Sequence, residues 1–137
     1  MQFLGQGIGR FLLAFIFLFS GARKVIGYQG TLSQMQSKGV FPAMDVFGYP
    51  LVEVLLMATI AVEVLGGLML ITGIGSRFAA LALAAFAIVA GVIFHDFWTI
   101  ADAAQYGNQL NHFLKNLAIA GGLLIVASQP SRDELLN

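Results

Sequence analysis

The chain has 137 residues, no net charge and no cysteine, with 58% hydrophobic but only 10% charged residues. Because about 25% of the residues in a soluble domain are charged, this composition excludes a mainly water-exposed surface and favours one membrane domain over residues 1–137. The balanced charge excludes nucleic acid as a partner. Without cysteine there is no thiol chemistry, so any redox chemistry requires a bound cofactor or a partner protein.

Four apolar stretches each approach the roughly 20 residues that a membrane-spanning helix requires. The predicted spans are residues 8–27, 51–73, 78–97 and 113–128. Helices are expected because a β-barrel would show short alternating strands instead. The fourth span is short, and its helix can extend back into the polar run near Asn108. We expect the first span to stay in the chain, because Arg10 lies well inside it, unlike the basic residues of a cleaved signal peptide.

The connection over residues 28–50 is the longest one between the predicted spans. Its Thr31-x-x-Gln34 pattern resembles a capping box and predicts a short interfacial helix from Thr31 to about Lys38. Phe41, Met44 and Phe47 follow this helix, and we expect them to dip toward lipid. A Gly-Ser turn over residues 74–77 joins the second span to the third.

A weak internal repeat relates the two halves of the chain. The run Gly66–Ile71 in the second span resembles Gly121–Val126 in the fourth, and a Ser-Arg pair follows each run at the same offset. We therefore predict an all-α membrane four-helix bundle made of two helix hairpins in parallel orientation.

The basic residues bear on the orientation of the chain in the membrane. Arg10, Arg77 and Arg132 lie on the side of the termini, and Lys38 lies in a loop on the opposite side. Three further cations lie at span ends on that opposite side: Arg23, Lys24 and Lys115. If these three serve a site, the positive-inside rule predicts both termini in the cytoplasm; if they count as loop charges, the rule does not decide.

Polar residues within the spans mark a candidate site. Glu63 lies near the middle of the second span, where a charge is costly and faces a partner or a cavity. Its structural alternative is a hydrogen bond between helices. The other candidates approach the same membrane side: Lys24, His95, His112, Lys115 and Asn116. Together they predict a polar pocket, although lysines also extend to lipid headgroups and histidines often pack without binding a ligand.

Several chemistries fit this set poorly. The Glu-x-x-His pairs of di-iron bundles and the ligand spacing of zinc sites are missing, so we predict no metal site. A haem held by His95 and His112 is disfavoured, because two histidines alone are weak support. A quinone fits better, because lysine and histidine donate hydrogen bonds to its carbonyl oxygens and Glu63 can handle a proton.

Four motifs taken in order resemble the DoxX family. They are Ser20-Gly21-x-x-Lys24, Glu63-x-x-Gly66-Gly67, the turn from Gly73 to Arg77, and Phe113-Leu-Lys-Asn-Leu117. The resemblance covers residues 9–128. It implies a four-helix protein of the bacterial cytoplasmic membrane, in a family named for similarity to the membrane subunit of a thiosulfate:quinone oxidoreductase. Family resemblance supports the fold more strongly than the activity.

The leading hypothesis is a quinone-binding or redox-accessory membrane subunit, with the bilayer and a redox protein as partners. Lys24, His95 and Lys115 would contact ligand oxygens. A non-enzymatic scaffold or chaperone that docks a protein is the second hypothesis. A small-solute transporter, which would need to form a homo-oligomer, is the third.

Overall fold

The computed structural model describes residues 2–136, which are mainly α-helical and include one two-stranded hairpin. The elements in chain order are α1 (Gln2–Ile26), α2 (Tyr28–Ser37), β1 (Asp45–Val46), β2 (Tyr49–Pro50), α3 (Leu51–Thr72), α4 (Ser76–Phe94), a 3₁₀ turn (Phe97–Thr99), α5 (Ala103–Ala127) and α6 (Arg132–Leu135). Helices α1, α3, α4 and α5 are long and apolar enough to cross a membrane. The predicted all-α membrane protein with four spans and a short helix in the first loop is therefore confirmed.

The chain divides into two compact units, and the first ends at Thr72. Within it, α1 packs antiparallel against α3. On α1 the buried residues follow helical spacing: Ala14, Phe17 and Gly21. On α3 they are Leu56, Glu63, Gly66, Gly67 and Leu70. Small residues recur on both faces, as is typical of helices that pack closely within a membrane.

The opposite face of α1 is aromatic and exposed. Phe11, Phe15 and Phe19 stack one above the next, with ring centroids 6.4 and 6.0 Å apart, and each is more than half exposed. Side chains four residues apart lie on the same face of a helix, which accounts for the stack. Such a surface suits lipid, because water would leave this large apolar area poorly solvated.

Helix α2 begins three residues before its predicted start. Gly27 is its N-cap, and the Thr31 hydroxyl donates to the Gly27 carbonyl at 3.2 Å inside the helix. The predicted capping box therefore does not form, because the chain enters α2 almost directly from α1. Leu32 and Met35 are buried against the unit. The strands β1 and β2 that follow pair antiparallel, and they are too short to leave a periodic pattern in the sequence.

The second unit begins at Gly73 and is built on α4 and α5. These helices also pack antiparallel, and their buried residues are small or branched: Ala79, Ala80, Leu83, Ala84, Ala87 and Gly91 on α4, and Ala120, Leu123, Val126 and Ala127 on α5. The many alanines on α4 bring the two backbones close together.

Helix α5 begins ten residues before the predicted fourth span. Asp102 caps it by accepting a hydrogen bond from the Gln105 amide at 2.9 Å, which satisfies one of the free donors at a helix start. With 25 residues, the helix is roughly 37 Å long at 1.5 Å per residue. Its polar first turns therefore extend beyond the hydrocarbon thickness of about 30 Å.

The C-terminal helix α6 packs on the start of α4. The Gly75 amide donates to Asp133 Oδ1 at 2.9 Å, and the Arg77 amide donates to Ser131 Oγ at 3.2 Å. Arg77 also forms an ion pair with Glu134 at 3.1 Å. The free amides at the start of α4 are thus satisfied by side chains from the end of the chain.

Candidate functional site

A buried ion pair joins the two long helices of the first unit. Lys24 Nζ lies 2.8 Å from each carboxylate oxygen of Glu63, whose side chain is only 3% exposed. Ser20 lies one helical turn before Lys24, and its hydroxyl donates to Glu63 Oε1 at 3.0 Å. Lys24 Nζ also donates to Ser20 Oγ at 2.7 Å. Two of the predicted site residues, Lys24 and Glu63, therefore contact each other directly.

Two glycines allow the helices to approach closely enough for this contact. A Cβ added at Gly21 would lie 2.8 Å from Val64 Cγ2, and one added at Gly67 would lie 2.8 Å from Leu18 Cγ. Real Cβ atoms essentially never lie this close to another heavy atom, so a larger residue would require its neighbour to shift. Glycines at these positions thus set the separation between α1 and α3 at which Lys24 reaches the carboxylate.

The Lys24 ammonium has no donor left for a ligand. Its three N–H groups are matched by three acceptors: two oxygens of Glu63 and one of Ser20. A ligand oxygen could bind Lys24 only by displacing one of them. The sequence predicts that Lys24 donates to a ligand. In the structure its donors are used within the protein, by Glu63 and Ser20.

A histidine pair lies at one end of the α4–α5 hairpin. His95 is the C-cap of α4, and His112 lies ten residues into α5. Their rings stack with centroids 5.0 Å apart and planes inclined by 16°. His95 Nδ1 lies 2.8 Å from Gln109 Oε1. Because an amide oxygen only accepts, Nδ1 carries the proton, and in the neutral ring Nε2 keeps its lone pair.

Lys115 and Asn116 lie one turn further along α5. The Asn116 amide nitrogen donates to the His112 carbonyl at 3.2 Å, and Asn116 Cβ packs over Gly91 on α4. Lys115 is exposed and lies three residues after His112, on the same face. Among residues 2–136, neither the His112 ring nitrogens nor Lys115 Nζ has a hydrogen-bond partner.

Aromatic rings surround this end of the hairpin. The Phe97 ring meets Trp98, Tyr106 and Phe113 edge to face, with centroids 5.0 to 5.5 Å apart. Trp98 lies 6.0 Å from Phe113, the residue that follows His112. These polar side chains and the aromatic cluster thus share one end of the hairpin, a combination that suits a flat ligand with polar edges.

The six predicted site residues fall into two groups. Lys24 and Glu63 meet in the first unit, and His95, His112, Lys115 and Asn116 gather in the second. In the sequence Ser20 belongs to the Ser20-Gly21-x-x-Lys24 motif without being predicted as a site residue, and Gln109 is not predicted at all. Gln109 lies three residues before His112, so helical spacing from a candidate histidine could have pointed to it. Within the described range, no three potential metal-binding side chains converge.

The chain is similar to one protein family and to two bacterial membrane proteins. The DoxX family model matches residues 5–96. The chain is 34% identical to inner membrane protein YqjF of Escherichia coli K12 over 141 residues, covering 100% of this chain and 95% of that protein. It is 28% identical to inner membrane protein YphA of the same organism over 120 residues, covering 88% and 79%. No solved structure matches significantly.

Proposed function

The chain belongs to the DoxX family, and from that premise we propose that it is a bacterial inner-membrane protein that binds a quinone for a quinone-linked redox system. The location follows from the two E. coli relatives, both called inner membrane proteins, and from four helices of spanning length. Because the chain has no cysteine, we assign electron exchange to a partner protein and quinone binding to this subunit.

The observation that carries the proposal is the set of free nitrogens at the end of the α4–α5 hairpin. His112 and Lys115 are exposed and have no hydrogen-bond partner among the described residues. A quinone head group offers two carbonyl oxygens, which only accept hydrogen bonds. Lys115 supplies ammonium donors, and His112 supplies a ring N–H. The hydrogen bond from the Lys115 ammonium is charge-assisted and therefore belongs to the stronger ones.

The same end of the hairpin also suits the reduced ligand. A quinol differs from a quinone in carrying hydroxyl donors, which require an acceptor. Because Gln109 holds the proton of His95 on Nδ1, His95 Nε2 can accept such a hydrogen bond. In the proposal His95 contacts the quinol, Lys115 contacts the quinone, and Asn116 keeps α5 packed against α4.

Lipid access supports a quinone over a water-soluble ligand. Trp98 is 54% exposed beside the aromatic rings of this end, and tryptophan favours the boundary between lipid and water. Leu114 and Leu117 flank Lys115 and are also exposed. A ligand dissolved in the bilayer can therefore reach Lys115 along an apolar surface, and its polar ring can stop at the level of the histidines.

The Lys24–Glu63 pair has a different role in this proposal. All three Lys24 donors are bound within the protein, so Lys115 takes the contact with ligand oxygens that the sequence predicts for Lys24. Glu63 holds α1 against α3, and its carboxylate is too buried to meet the ligand directly.

The test is quinone binding by the purified protein in nanodiscs. Trp98 is the only tryptophan and lies 6.0 Å from Phe113, so a short-chain benzoquinone bound near His112 should quench its fluorescence in a saturable way. We expect Lys115→Met and His112→Phe each to weaken binding about tenfold, the equivalent of one hydrogen bond. The phenyl ring keeps the stack with His95.

Arg23→Met is the matched control, because Arg23 is an exposed cation at the end of α1. It should leave binding unchanged. Unsaturable quenching in the wild-type protein would contradict the proposal. So would equal affinity in Lys115→Met and the wild type. A loss confined to Glu63→Gln would instead place the ligand in the first unit.

A further inference from the structure

The turn of the β1–β2 hairpin presents a phenylalanine in an unfavourable conformation. Phe47 has a φ of 54° and Gly48 a φ of 81°. Two consecutive residues with positive φ between paired strands form a turn that normally contains Asn-Gly or Gly-Gly. A bulky aromatic residue with positive φ is a rare outlier, so local turn geometry does not account for Phe47.

The same side chain is almost completely uncovered. Phe47 is 92% exposed, the highest value among the exposed large hydrophobic residues of the described chain. Val40, Met44 and Tyr49 on the same segment are each more than half exposed. Exposure of this apolar surface to water is unfavourable, and its free-energy cost adds to that of the backbone conformation. The positive φ and the exposed ring of Phe47 are both unfavourable in water. Together they indicate that Phe47 contacts something outside the chain.

Between Tyr28 and Pro50, the exposed large apolar side chains all lie on residues 40–49. Between Gly39 and Val52, Asp45 is the only charged residue. The preceding helix α2 differs, because its exposed residues are polar, Gln29, Ser33, Gln34, Gln36 and Ser37 among them, while Leu32 and Met35 are buried. Helix α2 therefore has the surface of an element that faces water, and the hairpin does not.

The hairpin is held directly at the start of a membrane span. β2 ends at Pro50, α3 begins at Leu51, and the Leu51 amide donates to the Met44 carbonyl at 2.8 Å. Phe47 is four residues from Leu51, which limits its distance to roughly 14 Å of extended chain. A turn this close to the end of a span is within reach of the lipid headgroups.

We propose that the β1–β2 hairpin is a membrane-interface anchor, with Phe47 inserted among the lipids and Met44 and Tyr49 at the boundary with the headgroups. Its partner is the lipid surface itself. Met57, the seventh residue of α3, is exposed as well, so one lipid layer can cover both the hairpin and this helix. Tyrosine is enriched at this depth because its ring is apolar and its hydroxyl reaches water.

A recess beneath the hairpin fits this role. It has a volume of about 520 Å³ and is lined mainly by apolar residues: Phe41, Pro42, Ala43, Met44, Pro50, Leu51 and Val52, with Gln36 and Asp45. Insertion of the hairpin at headgroup level would place lipid rather than water against the apolar part of the recess. The anchor thus covers apolar surface on both the turn and its base.

The test places a single tryptophan at the turn. In a Trp98→Phe background, Phe47→Trp is compared with Ser33→Trp, whose position on α2 is exposed and polar. Both proteins are reconstituted in vesicles of phosphatidylcholine brominated at defined acyl positions. We expect Phe47→Trp to emit at shorter wavelength, to be quenched by lipids brominated near the headgroup, and to resist aqueous iodide. Ser33→Trp should show the opposite pattern.

Two results would overturn the proposal. Iodide quenching of Phe47→Trp equal to that of Ser33→Trp would place the turn in water. A short emission wavelength that is lost when the protein is diluted into excess lipid would show that a second copy of the chain, rather than lipid, covers the turn. Circular dichroism of each variant establishes that it is folded, and the outcome is independent of quinone binding.

Discussion

At the scale of single residues, the Lys24–Glu63 pair shows how a membrane span accommodates a charge. An isolated carboxylate within a span is costly. Here the carboxylate accepts two hydrogen bonds from Lys24 and one from Ser20, so its oxygens are satisfied without water. The Lys24 side chain is 22% exposed and the Glu63 side chain only 3%. The burial is unequal, and the two charges should respond differently to mutation.

Lys24→Met should destabilise the protein more than Glu63→Gln. Removing Lys24 leaves a buried carboxylate without its counter-charge, and breaking a fully buried pair in this way costs about 3–5 kcal/mol. We expect the lower end of that range, because Lys24 is partly exposed. In Glu63→Gln, the freed ammonium can extend toward the interface, and the glutamine oxygen can still accept from Ser20, so the cost should be about 1 kcal/mol. Thermal unfolding in detergent measures both.

The double variant Lys24→Met/Glu63→Gln is the control for this asymmetry. It removes both charges, and it should be more stable than Lys24→Met alone because no unpaired carboxylate remains. If the single and double variants unfold at the same temperature, the pair does not contribute through charge compensation.

At the scale of helices, close approach depends on a few positions without a side chain. Gly21 faces Val64, a branched residue with restricted side-chain freedom. Gly67 faces the more flexible Leu18 and also the Ala14 carbonyl at 3.3 Å from an added Cβ. Gly121 in α5 differs, since an added Cβ would meet nothing within 4 Å.

Gly21→Ala should therefore destabilise the α1–α3 pair, whereas Gly121→Ala should not. The alanine at position 21 would lie 2.8 Å from Val64 Cγ2 and would force the helices apart. We expect a cost of about 1–3 kcal/mol, as for other overpacked contacts. At position 121 the same change should be neutral, or stabilising by up to about 1 kcal/mol, through helix propensity. Unfolding by sodium dodecyl sulfate compares the two; equal effects would contradict the close-contact argument.

The helical faces could be predicted from the sequence, but their register could not. Small and polar residues three or four apart predict which side of α1 and α3 is buried, because helical spacing determines the face. The direct contact of Lys24 with Glu63 depends on the position of α1 along the axis of α3. Side-chain packing between the two helices determines that position, and no local sequence pattern indicates it. The same holds for Gln109 beside His95.

The ends of the elements were predicted less well than their cores, for a related reason. Apolar length measures only the part of a helix within hydrocarbon. The start of α5 depends instead on the Asp102 cap, and the start of α2 depends on the turn at Gly27. The two-residue strands gave no alternation to detect. Local hydrogen bonds therefore determine where these helices begin, and hydropathy carries no information about such bonds.

At the scale of the whole molecule, the distribution of cations bears on membrane orientation. The positive-inside rule counts residues in loops and near span ends. Lys24 is bound to Glu63 inside the first unit, and Lys115 is the thirteenth residue of α5, so neither is a loop charge. Arg10 is the ninth residue of α1 and is therefore not a loop charge either, so Arg77 and Arg132 remain on the side that the sequence assigns to the termini. Arg23 and Lys38 remain on the other side. The count is then equal on the two sides, and cytoplasmic termini stay a prediction.

Single cysteines can test this orientation directly, because the chain contains none of its own. Ile74→Cys lies in the exposed turn before α4, and Ser33→Cys and Gln105→Cys lie at exposed positions near the opposite ends of the spans. If four spans alternate across the bilayer, a membrane-impermeant maleimide should label positions 33 and 105 in intact spheroplasts. It should label position 74 only after the membrane is opened, because the short turn would then face the cytoplasm. Labelling of position 74 alone in intact spheroplasts would reverse the orientation, and equal labelling of all three would indicate two orientations in the same membrane.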